Sequence, residues 1–188
     1  MRVITGKAKG TQLTALNGAG VRPTLDRVKE CLFDRLGHNL AGETFLDLFA
    51  GSGGLGVEAL SRGADRVVFV ENDPKAQRVI LANLAKCKFL QGEGASQSWE
   101  LLKTDALGAV SLLEKRGVRF DLVHVDPPYD ADLYEGVLLR LADSAVIDDA
   151  STVIVEHFHK KVLNPSYGRL SLSSEKKLGN TLLSFYSL

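Results

Sequence analysis

Cysteine is scarce in this sequence, and several other hallmarks of secreted, metal-binding and membrane proteins are missing. The two cysteines, Cys31 and Cys87, form no Cys-x-x-Cys pair, so they indicate neither a disulfide framework nor a zinc site. No stretch approaches the ~20 consecutive apolar residues of a transmembrane helix. The first residues lack a long apolar core and a cleavage-like site, so we expect no secretory signal. These absences favour a reduced, cytoplasmic protein that needs neither metal nor membrane.

The chain also lacks net charge, having 23 basic and 23 acidic residues, which on its own argues against a nucleic-acid partner. The charge is unevenly distributed, however, because residues 1–22 contain no acid and four basic residues: Arg2, Lys7, Lys9 and Arg22. A basic segment on a mildly acidic body is typical of proteins that contact phosphates. A solvated basic terminus is the simpler alternative. We therefore predict a basic N-terminal hairpin extension over 1–22 and the main domain over 23–188.

Apolar runs alternate with amphipathic segments along most of the chain. This alternation predicts an α/β domain in which helices cover both faces of a mostly parallel sheet. Two late strands are joined so closely that they must be antiparallel, which gives a seven-stranded sheet with an antiparallel last strand. Strands are predicted over 44–50, 66–71, 100–104, 120–125, 152–156, 169–173 and 181–186, and helices over 54–61, 74–86, 107–115 and 133–143, after a first helix that opens at Thr24 and stops at Gly37.

A glycine-rich segment follows the first predicted strand and opens a helix. Its Gly51, Gly53 and Gly56 have the G-x-G-x-x-G spacing, which lets the backbone turn sharply and approach a ligand closely. The N-terminus of the following helix adds aligned N–H groups. Nicotinamide and flavin enzymes use the same spacing, so this motif alone indicates a nucleotide-like cofactor without identifying it.

Two carboxylates flank this loop at the ends of neighbouring strands. Asp47 lies four residues before Gly51, and Glu71 lies 20 residues after it. A carboxylate at the position of Glu71 can accept hydrogen bonds from both hydroxyls of a ribose, at the edge where parallel strands end. Alternatively, Asp47 only caps the loop and Glu71 lies on a solvated strand end.

The tetrapeptide Asp126-Pro127-Pro128-Tyr129 ends another predicted strand. Two prolines cannot extend a sheet, so the strand must stop here, and the turn that follows is stiff. This turn suits methylation of an exocyclic base amine. The Asp126 carboxylate and the Pro127 carbonyl can accept the two N–H hydrogens, and the Tyr129 ring can stack on a flipped base. Positioning then contributes most of the catalysis, and the activated methyl of S-adenosylmethionine makes a metal unnecessary.

Segments 47–56 and 126–129 together resemble the exocyclic-amine methyltransferases. The N-terminal half narrows the resemblance to the RsmD family, whose members are bacterial methyltransferases acting on N2 of a guanine in small-subunit ribosomal RNA. The resemblance covers nearly the whole chain and is carried by Gly6-Lys7-Ala8-Lys9-Gly10, Arg22-Pro23-Thr24, Arg27-Val28-Lys29-Glu30 and Glu58-Ala59-Leu60-Ser61-Arg62-Gly63-Ala64. It implies a Rossmann-like fold, S-adenosylmethionine as cofactor, and ribosomal RNA or the small ribosomal subunit as partner. We expect a monomer.

The resemblance also implies roles for individual residues. Asp47 and the glycine loop hold the methionine moiety, Glu71 holds the ribose, and Asp105 meets the adenine amine. Asp126, Pro127, Pro128 and Tyr129 handle the target base. The residues expected to contact the cofactor are Asp47, Phe49, Ala50, Gly51, Ser52, Gly53, Glu71, Asn72, Asp105 and Ala106, and those expected to contact RNA are Arg2, Lys7, Lys9, Arg22 and Thr24.

This sequence departs from the family pattern at three places. Tyr129 stands where the family often has Phe, and either ring can stack. Residues 87–99 are hard to align, which affects the third strand and Asp105. The segment 177–181 lacks the aromatic residue expected before Gly179.

Three alternative functions remain open at this stage. A nicotinamide-dependent oxidoreductase would use the glycine loop but leaves 126–129 unexplained. An RNA-binding or assembly protein with a vestigial fold would not need the acidic and aromatic site residues. Methylation of adenine N6 in DNA would use the same motif, but no separate DNA-recognition domain fits in 188 residues. His124 is expected to be a packed strand residue, and His157 with His159 lacks a third metal ligand.

Overall fold

The computed structural model describes residues 1–16, 26–89, 97–128 and 133–188. Eight strands form one sheet in the order β3-β2-β1-β4-β5-β8-β7-β6. The strands are β1 Thr44–Asp47, β2 Arg66–Val70, β3 Ser98–Leu102, β4 Leu122–Val125, β5 Thr152–Phe158, β6 Ser166–Tyr167, β7 Leu170–Leu178 and β8 Thr181–Ser187, and the helices are α1 Asp26–Leu36, α2 Gly54–Ser61, α3 Pro74–Lys86, α4 Ala106–Lys115 and α5 Tyr134–Ala142.

The first five strands are parallel, and β8 inserts antiparallel between β5 and β7. This confirms the predicted mostly parallel sheet and the antiparallel closing pair. The predicted count of seven strands is wrong by one, because Ser166 and Tyr167 add the short edge strand β6 beside β7. A two-residue strand carries no alternation of apolar and polar residues, so the sequence offers no signal for it.

Two hydrophobic cores lie on opposite faces of the sheet. Side chains alternate between the faces of a strand, and in β2 Val68 and Val70 enter one core whereas Val67 and Phe69 enter the other. The first core packs against α4 and α5, and the second against α1, α2 and α3. Because β1, β2, β4 and β5 are buried on both faces, their sequences are mostly apolar rather than alternating.

Aspartate side chains cap the N-termini of two helices at the edge of the sheet where the parallel strands end. Asp73 caps α3 by accepting hydrogen bonds from the backbone N–H groups of Lys75 (3.1 Å) and Ala76 (3.3 Å). Asp105 caps α4 in the same way, through the N–H of Gly108 at 2.8 Å. Helix α1 ends before Gly37, which has φ 111°. Capped N-termini therefore point toward the edge where the strands end.

Strand boundaries differ from the prediction mainly in β1, β3 and β7, and the strand predicted over 169–173 is observed as β7 Leu170–Leu178. The segment predicted as strand over 44–50 leaves the regular ladder after Asp47, although Leu48 N still donates to His124 O and Ala50 N to Val70 O, both at 3.0 Å. The third strand begins two residues earlier than predicted and pairs in parallel with β2.

The N-terminal segment packs against the domain. Val3 N donates to Thr11 O at 3.0 Å and Leu13 N to Met1 O at 3.1 Å, so a short antiparallel pairing exists where the hairpin was predicted. Val3, Ala8 and Leu13 are buried in the second core. No helix within the described residues is long and apolar enough to cross a membrane.

Candidate active site

A cavity of about 480 Å³ opens at the carboxyl ends of the parallel strands. In open parallel sheets this edge is the usual place for ligands, and the volume lies in the range typical of small-molecule sites. Its wall contains residues that follow β1, β2, β3 and β4, together with one residue of β5. The predicted site residues that line it are Phe49, Gly51, Glu71, Asn72, Asp105, Ala106, Asp126, Pro127 and Pro128.

The glycine loop connects β1 to α2 along one side of this cavity. Gly53 precedes α2 with φ 77°, a conformation that favours glycine because a side chain would be strained. A Cβ at Gly56 would lie 2.2 Å from the Cε1 atom of Phe69, so only glycine lets α2 approach β2 this closely. Gly51 itself lines the cavity, whereas Ala50, Ser52 and Gly53 are not among its lining residues.

Glu71 ties the loop to the end of β2. Its Oε2 accepts a hydrogen bond from Gly51 N, and its Oε1 accepts one from Asp73 N, both at 2.8 Å. Burial raises the pKa of the Glu71 carboxyl, and these amide donors only partly oppose the rise. Each carboxylate oxygen has a second lone pair, so Glu71 can hold the loop and still accept hydrogen bonds from a ligand in the cavity.

Asp105 stands after β3, on the same side of the cavity as Glu71. Its side chain caps α4 through Gly108 N, and it lines the cavity together with Thr104 and Ala106. This end of the cavity therefore presents three carboxylates, Glu71 and Asp73 after β2 and Asp105 at the start of α4.

Asp126, Pro127 and Pro128 line the cavity where β4 ends. Burial is the main reason that the pKa of Asp126 is raised well above its usual range, and the negative charge of Glu156 adds to it. Tyr129 lies outside the described residues, so its predicted stacking role stays a prediction. The turn thus places an acid with an unusually high pKa beside the cavity.

His124 joins three acids behind this turn, and this arrangement was not predicted from the sequence. Its Nδ1 lies 3.3 Å from Asp47 Oδ1, and its Nε2 lies 3.9 Å from Glu156 Oε2. Burial alone lowers the pKa of His124, but the hydrogen bond and charge of Asp47, with the charges of Asp126 and Glu156, outweigh burial and raise it. The expectation that His124 packs inside its strand is correct, since it is buried.

Asp47, which was predicted to contact the cofactor, faces His124. It is 2% exposed and contacts His124, and it is not among the residues that line the cavity. Glu156 does line the cavity, yet no motif marks it, because it is a single acid inside an apolar strand. Within the described residues, no group of three or more His, Cys, Asp or Glu side chains could hold a metal ion.

The basic N-terminal residues lie on the outside of the segment that packs on α2 and α3. Lys7 Nζ donates to Gln97 Oε1 at 2.9 Å, Arg2 pairs with Asp26 at 3.5 Å, and Lys9 is exposed. The segment reaches the cavity at Leu16, which lines it. Arg22 and Thr24 lie outside the described residues.

A buried charge cluster, which sequence reasoning also missed, fastens this segment. The Glu58 carboxylate accepts hydrogen bonds from Ile4 N (2.8 Å) and Thr5 N (3.0 Å). It also contacts Lys29 Nζ at 3.4 Å and Arg62 Nε at 2.9 Å, and all three charged side chains are almost fully buried. The segment is thus bound through its backbone, which leaves its basic side chains at the surface.

Comparison with known proteins agrees with this architecture. The model of the family described as "Conserved hypothetical protein 95" matches residues 1–187. The ribosomal RNA small subunit methyltransferase D of Escherichia coli (strain K12) is 32% identical over 186 residues, which cover 99% of this chain and 89% of that protein. The protein of the same name from Haemophilus influenzae (strain Rd) is 37% identical over 159 residues, covering 83% and 78%.

A solved structure of a hypothetical protein from Thermus thermophilus superposes over the full length. It has a TM-score of 0.84 and 26% sequence identity, and the match covers 100% of this chain and 99% of that one. The arrangement of strands and helices described above is therefore shared with that protein.

Proposed function

This chain belongs to the family whose model it matches, and we propose that it transfers a methyl group from S-adenosylmethionine to the N2 amine of a guanine in small-subunit ribosomal RNA. The resemblance to the RsmD family is confirmed by the family match and by the relatives named ribosomal RNA small subunit methyltransferase D. The observation that carries the proposal is that Asp126-Pro127-Pro128 lines the same cavity as Glu71 and Asp105.

The residues at one end of the cavity fit S-adenosylmethionine. Glu71 accepts from the ribose hydroxyls, Asp105 meets the adenine amine, and Gly51 offers a close backbone approach to the methionine moiety. Asn72, Phe49 and Ala106 complete the wall at this end. When bound, the cofactor supplies a methyl group activated on a sulfonium. Asp47, Ala50, Ser52 and Gly53 do not line the cavity, and their contact with the methionine moiety is part of the proposal.

The residues at the other end handle the target base. The Asp126 carboxylate and the Pro127 carbonyl accept the hydrogens of the exocyclic amine, which orients its lone pair toward the methyl group. Pro128 stiffens the turn, and the Tyr129 ring provides a face on which the flipped base stacks. The high pKa of Asp126 means that burial disfavours its charge, so hydrogen bonds from an amine are strongly favoured there.

The basic segment approaches the RNA. Arg2, Lys7 and Lys9 contact phosphates from the surface of the segment 1–16. Arg22 and Thr24, which lie outside the described residues, belong to the same proposed RNA contact. The partner is ribosomal RNA or the small ribosomal subunit, and the enzyme works as a cytoplasmic monomer. Residues 1–22 form the RNA-contacting extension of the domain at 23–188.

The test is methyl transfer to small ribosomal subunits prepared from cells that lack this gene. Purified enzyme and isotope-labelled S-adenosylmethionine are added, and the labelled nucleoside is identified and mapped by mass spectrometry. We expect one N2-methylguanosine in the small-subunit RNA. Labelled N6-methyladenosine, or no labelled nucleoside in either naked RNA or subunits, would contradict the proposal.

The variant Asp126→Ala tests the role of the turn through two measurements, turnover and cofactor affinity. Asp126→Ala removes the acceptor, so turnover should fall by a factor on the order of 10²–10³, as when one positioned hydrogen-bonding group is lost from a reaction site. Calorimetry should show nearly unchanged affinity for S-adenosylmethionine. An effect confined to cofactor binding would remove Asp126 from the target-base end.

A further inference from the structure

A second acid stands beside Asp126 at the target-base end of the cavity. In the parallel pair β4–β5, Val125 is level with Val155, so the residues that follow, Asp126 and Glu156, are level as well. Both side chains line the cavity. Among neighbouring charges, that of Glu156 raises the pKa of Asp126 the most. This is consistent with two adjacent carboxylates that face one ligand.

The strand order separates this pair from the acids at the cofactor end. Glu71 follows β2 and Asp105 follows β3, whereas Asp126 follows β4 and Glu156 lies on β5. Strand β1 lies between the two groups in the order β3-β2-β1-β4-β5. Glu156 is thus on the far side of β1 from the residues assigned to ribose and adenine, and it belongs to the end where the target base enters.

His124 lies beside Glu156. His124 Nε2 lies 3.9 Å from its Oε2, and the other ring nitrogen of His124 is held by Asp47. Glu156 is only 9% exposed, although it lines the cavity. A carboxylate accepts hydrogen bonds and cannot donate them, so a ligand that presents N–H donors suits this place in the cavity.

The edge of guanine has this arrangement of donors. Its N1–H and its N2 amine are adjacent donors, whereas N1 of adenine is an acceptor that would face the carboxylate lone pairs. Enzymes that flip a base read it through this edge, and a carboxylate can only accept. Two carboxylates side by side therefore match two adjacent donors.

We propose that Glu156 is a specificity-determining residue whose carboxylate accepts the N1–H of the target guanine while Asp126 accepts from the N2 amine. The inference rests on the proposed function of the same site. His124 acts through Glu156 as a positioning residue. The enzyme accordingly rejects bases whose N1 carries no hydrogen, even when they carry a 2-amine.

The probe that isolates this contact is 2-aminopurine, which keeps the 2-amine of guanine but has an unprotonated N1. Small-subunit RNA is joined from a transcript and a synthetic segment that carries guanine or 2-aminopurine at the mapped position. The ratio of kcat/KM for the two RNAs is measured for the wild type and for Glu156→Gln. Loss of O6 in 2-aminopurine affects both enzymes alike, so the change in the ratio reports on residue 156.

The wild type should prefer guanine by a factor on the order of 100, because a site built to bind a donor rejects an analogue that lacks it. In Glu156→Gln the preference should shrink at least about tenfold, since the carboxamide N–H can donate to the N1 lone pair. Affinity for S-adenosylmethionine should not change. Glu71→Gln is the matched control, in which cofactor affinity falls and the base preference stays as in the wild type.

Equal wild-type rates on guanine and 2-aminopurine would overturn the inference, and this result does not depend on any variant folding. An unaltered preference in Glu156→Gln, or a loss of cofactor affinity in it, would overturn it as well. If any of these results is found while the wild type still methylates guanine, the proposed function stands and only the role of Glu156 is lost. A wild type that methylates no small-subunit RNA removes both proposals.

Discussion

At the scale of single residues, the Glu71 carboxylate both holds the glycine loop and faces the proposed cofactor site. It accepts the backbone N–H groups of Gly51 and Asp73, and in our proposal it also accepts the ribose hydroxyls. Glu71→Ala should therefore weaken S-adenosylmethionine binding by the loss of charge-assisted hydrogen bonds, each worth about 1.5–3 kcal/mol. Glu71→Gln should be milder, because its carbonyl oxygen still accepts. Calorimetry measures the affinities.

The control for this prediction is Glu135→Ala, which removes an exposed glutamate at the start of α5. It should bind the cofactor as the wild type does. If Glu71→Ala also binds with wild-type affinity, Glu71 only braces the loop and another residue must hold the ribose.

Asp126 should make the activity sensitive to acid. In the proposed function its carboxylate form accepts from the target amine, and burial with the charge of Glu156 raises its pKa well above the usual range of an aspartate. Activity is thus fully present above this raised pKa and is lost as the pH falls through it. The profile of kcat/KM against pH should show an acid limb at a higher pH than an ordinary aspartate would give.

The variant Glu156→Gln tests whether Asp126 sets the pH of this acid limb. Glu156→Gln removes a neighbouring negative charge, so the pKa of Asp126 should fall and the acid limb should move to lower pH. Asp47 and His124 also act on Asp126, and both are retained in this variant. A limb that does not move would assign the pH dependence to a different group.

At the scale of elements, Glu58 of α2 fastens the N-terminal segment to the domain. Its carboxylate holds Ile4 N and Thr5 N and neutralises the buried Lys29 and Arg62. Burial already lowers the pKa of Lys29, although Glu58 opposes this. Glu58→Ala leaves two buried cations without their carboxylate, which should lower the free energy of unfolding by about 3–5 kcal/mol.

Urea unfolding measures this loss, and hydrogen exchange at Ile4 and Thr5 should quicken at the same time. Glu30→Ala, which removes an exposed glutamate of α1, is the matched control and should leave both unchanged. Equal stability of Glu58→Ala and Glu30→Ala would mean that Glu58 does not fasten the segment, and that its apolar residues and its hydrogen bonds with Ser61 and Asn83 do.

The sequence predicted correctly the bounds of elements that are set by residues close in the chain. Helices α2 and α3 begin and end where the pattern placed them, since a glycine turn precedes one and Asp73 with Pro74 opens the other. The two-residue strand β6 and the start of β3 depend on neighbouring strands. Pairing partners distant in the sequence decide such boundaries, so periodicity alone places them poorly.

At the scale of the whole molecule, the uneven charge predicts salt-dependent RNA binding. The segment 1–16 carries Arg2, Lys7 and Lys9 and no acid, and its backbone is fixed so that Lys7 and Lys9 remain exposed. Replacing both lysines by Ala should weaken RNA binding and flatten its salt dependence by about one unit of slope per lost phosphate contact. Cofactor affinity should barely change.

A salt titration of RNA binding measures this effect. Lys115→Ala is a suitable control, because this lysine lies in the last turn of α4, away from the cavity edge where α4 begins. It should leave the slope unaltered. A double variant with the wild-type slope would show that the segment is a solvated terminus and that the RNA surface lies elsewhere.

The sequence by itself determined the order of the helices and of the strands other than β6, the glycine loop with Glu71, and the turn at Asp126. These features depend on residues that are close in the chain, whose spacing and backbone preferences can be read directly. Only the tertiary structure decided that β8 inserts beside β5, that Asp47 faces His124 rather than the cavity, and that Glu156 stands beside Asp126. Thirty residues separate this last pair, and the register of two parallel strands, which burial and hydrogen bonding set together, brings them level.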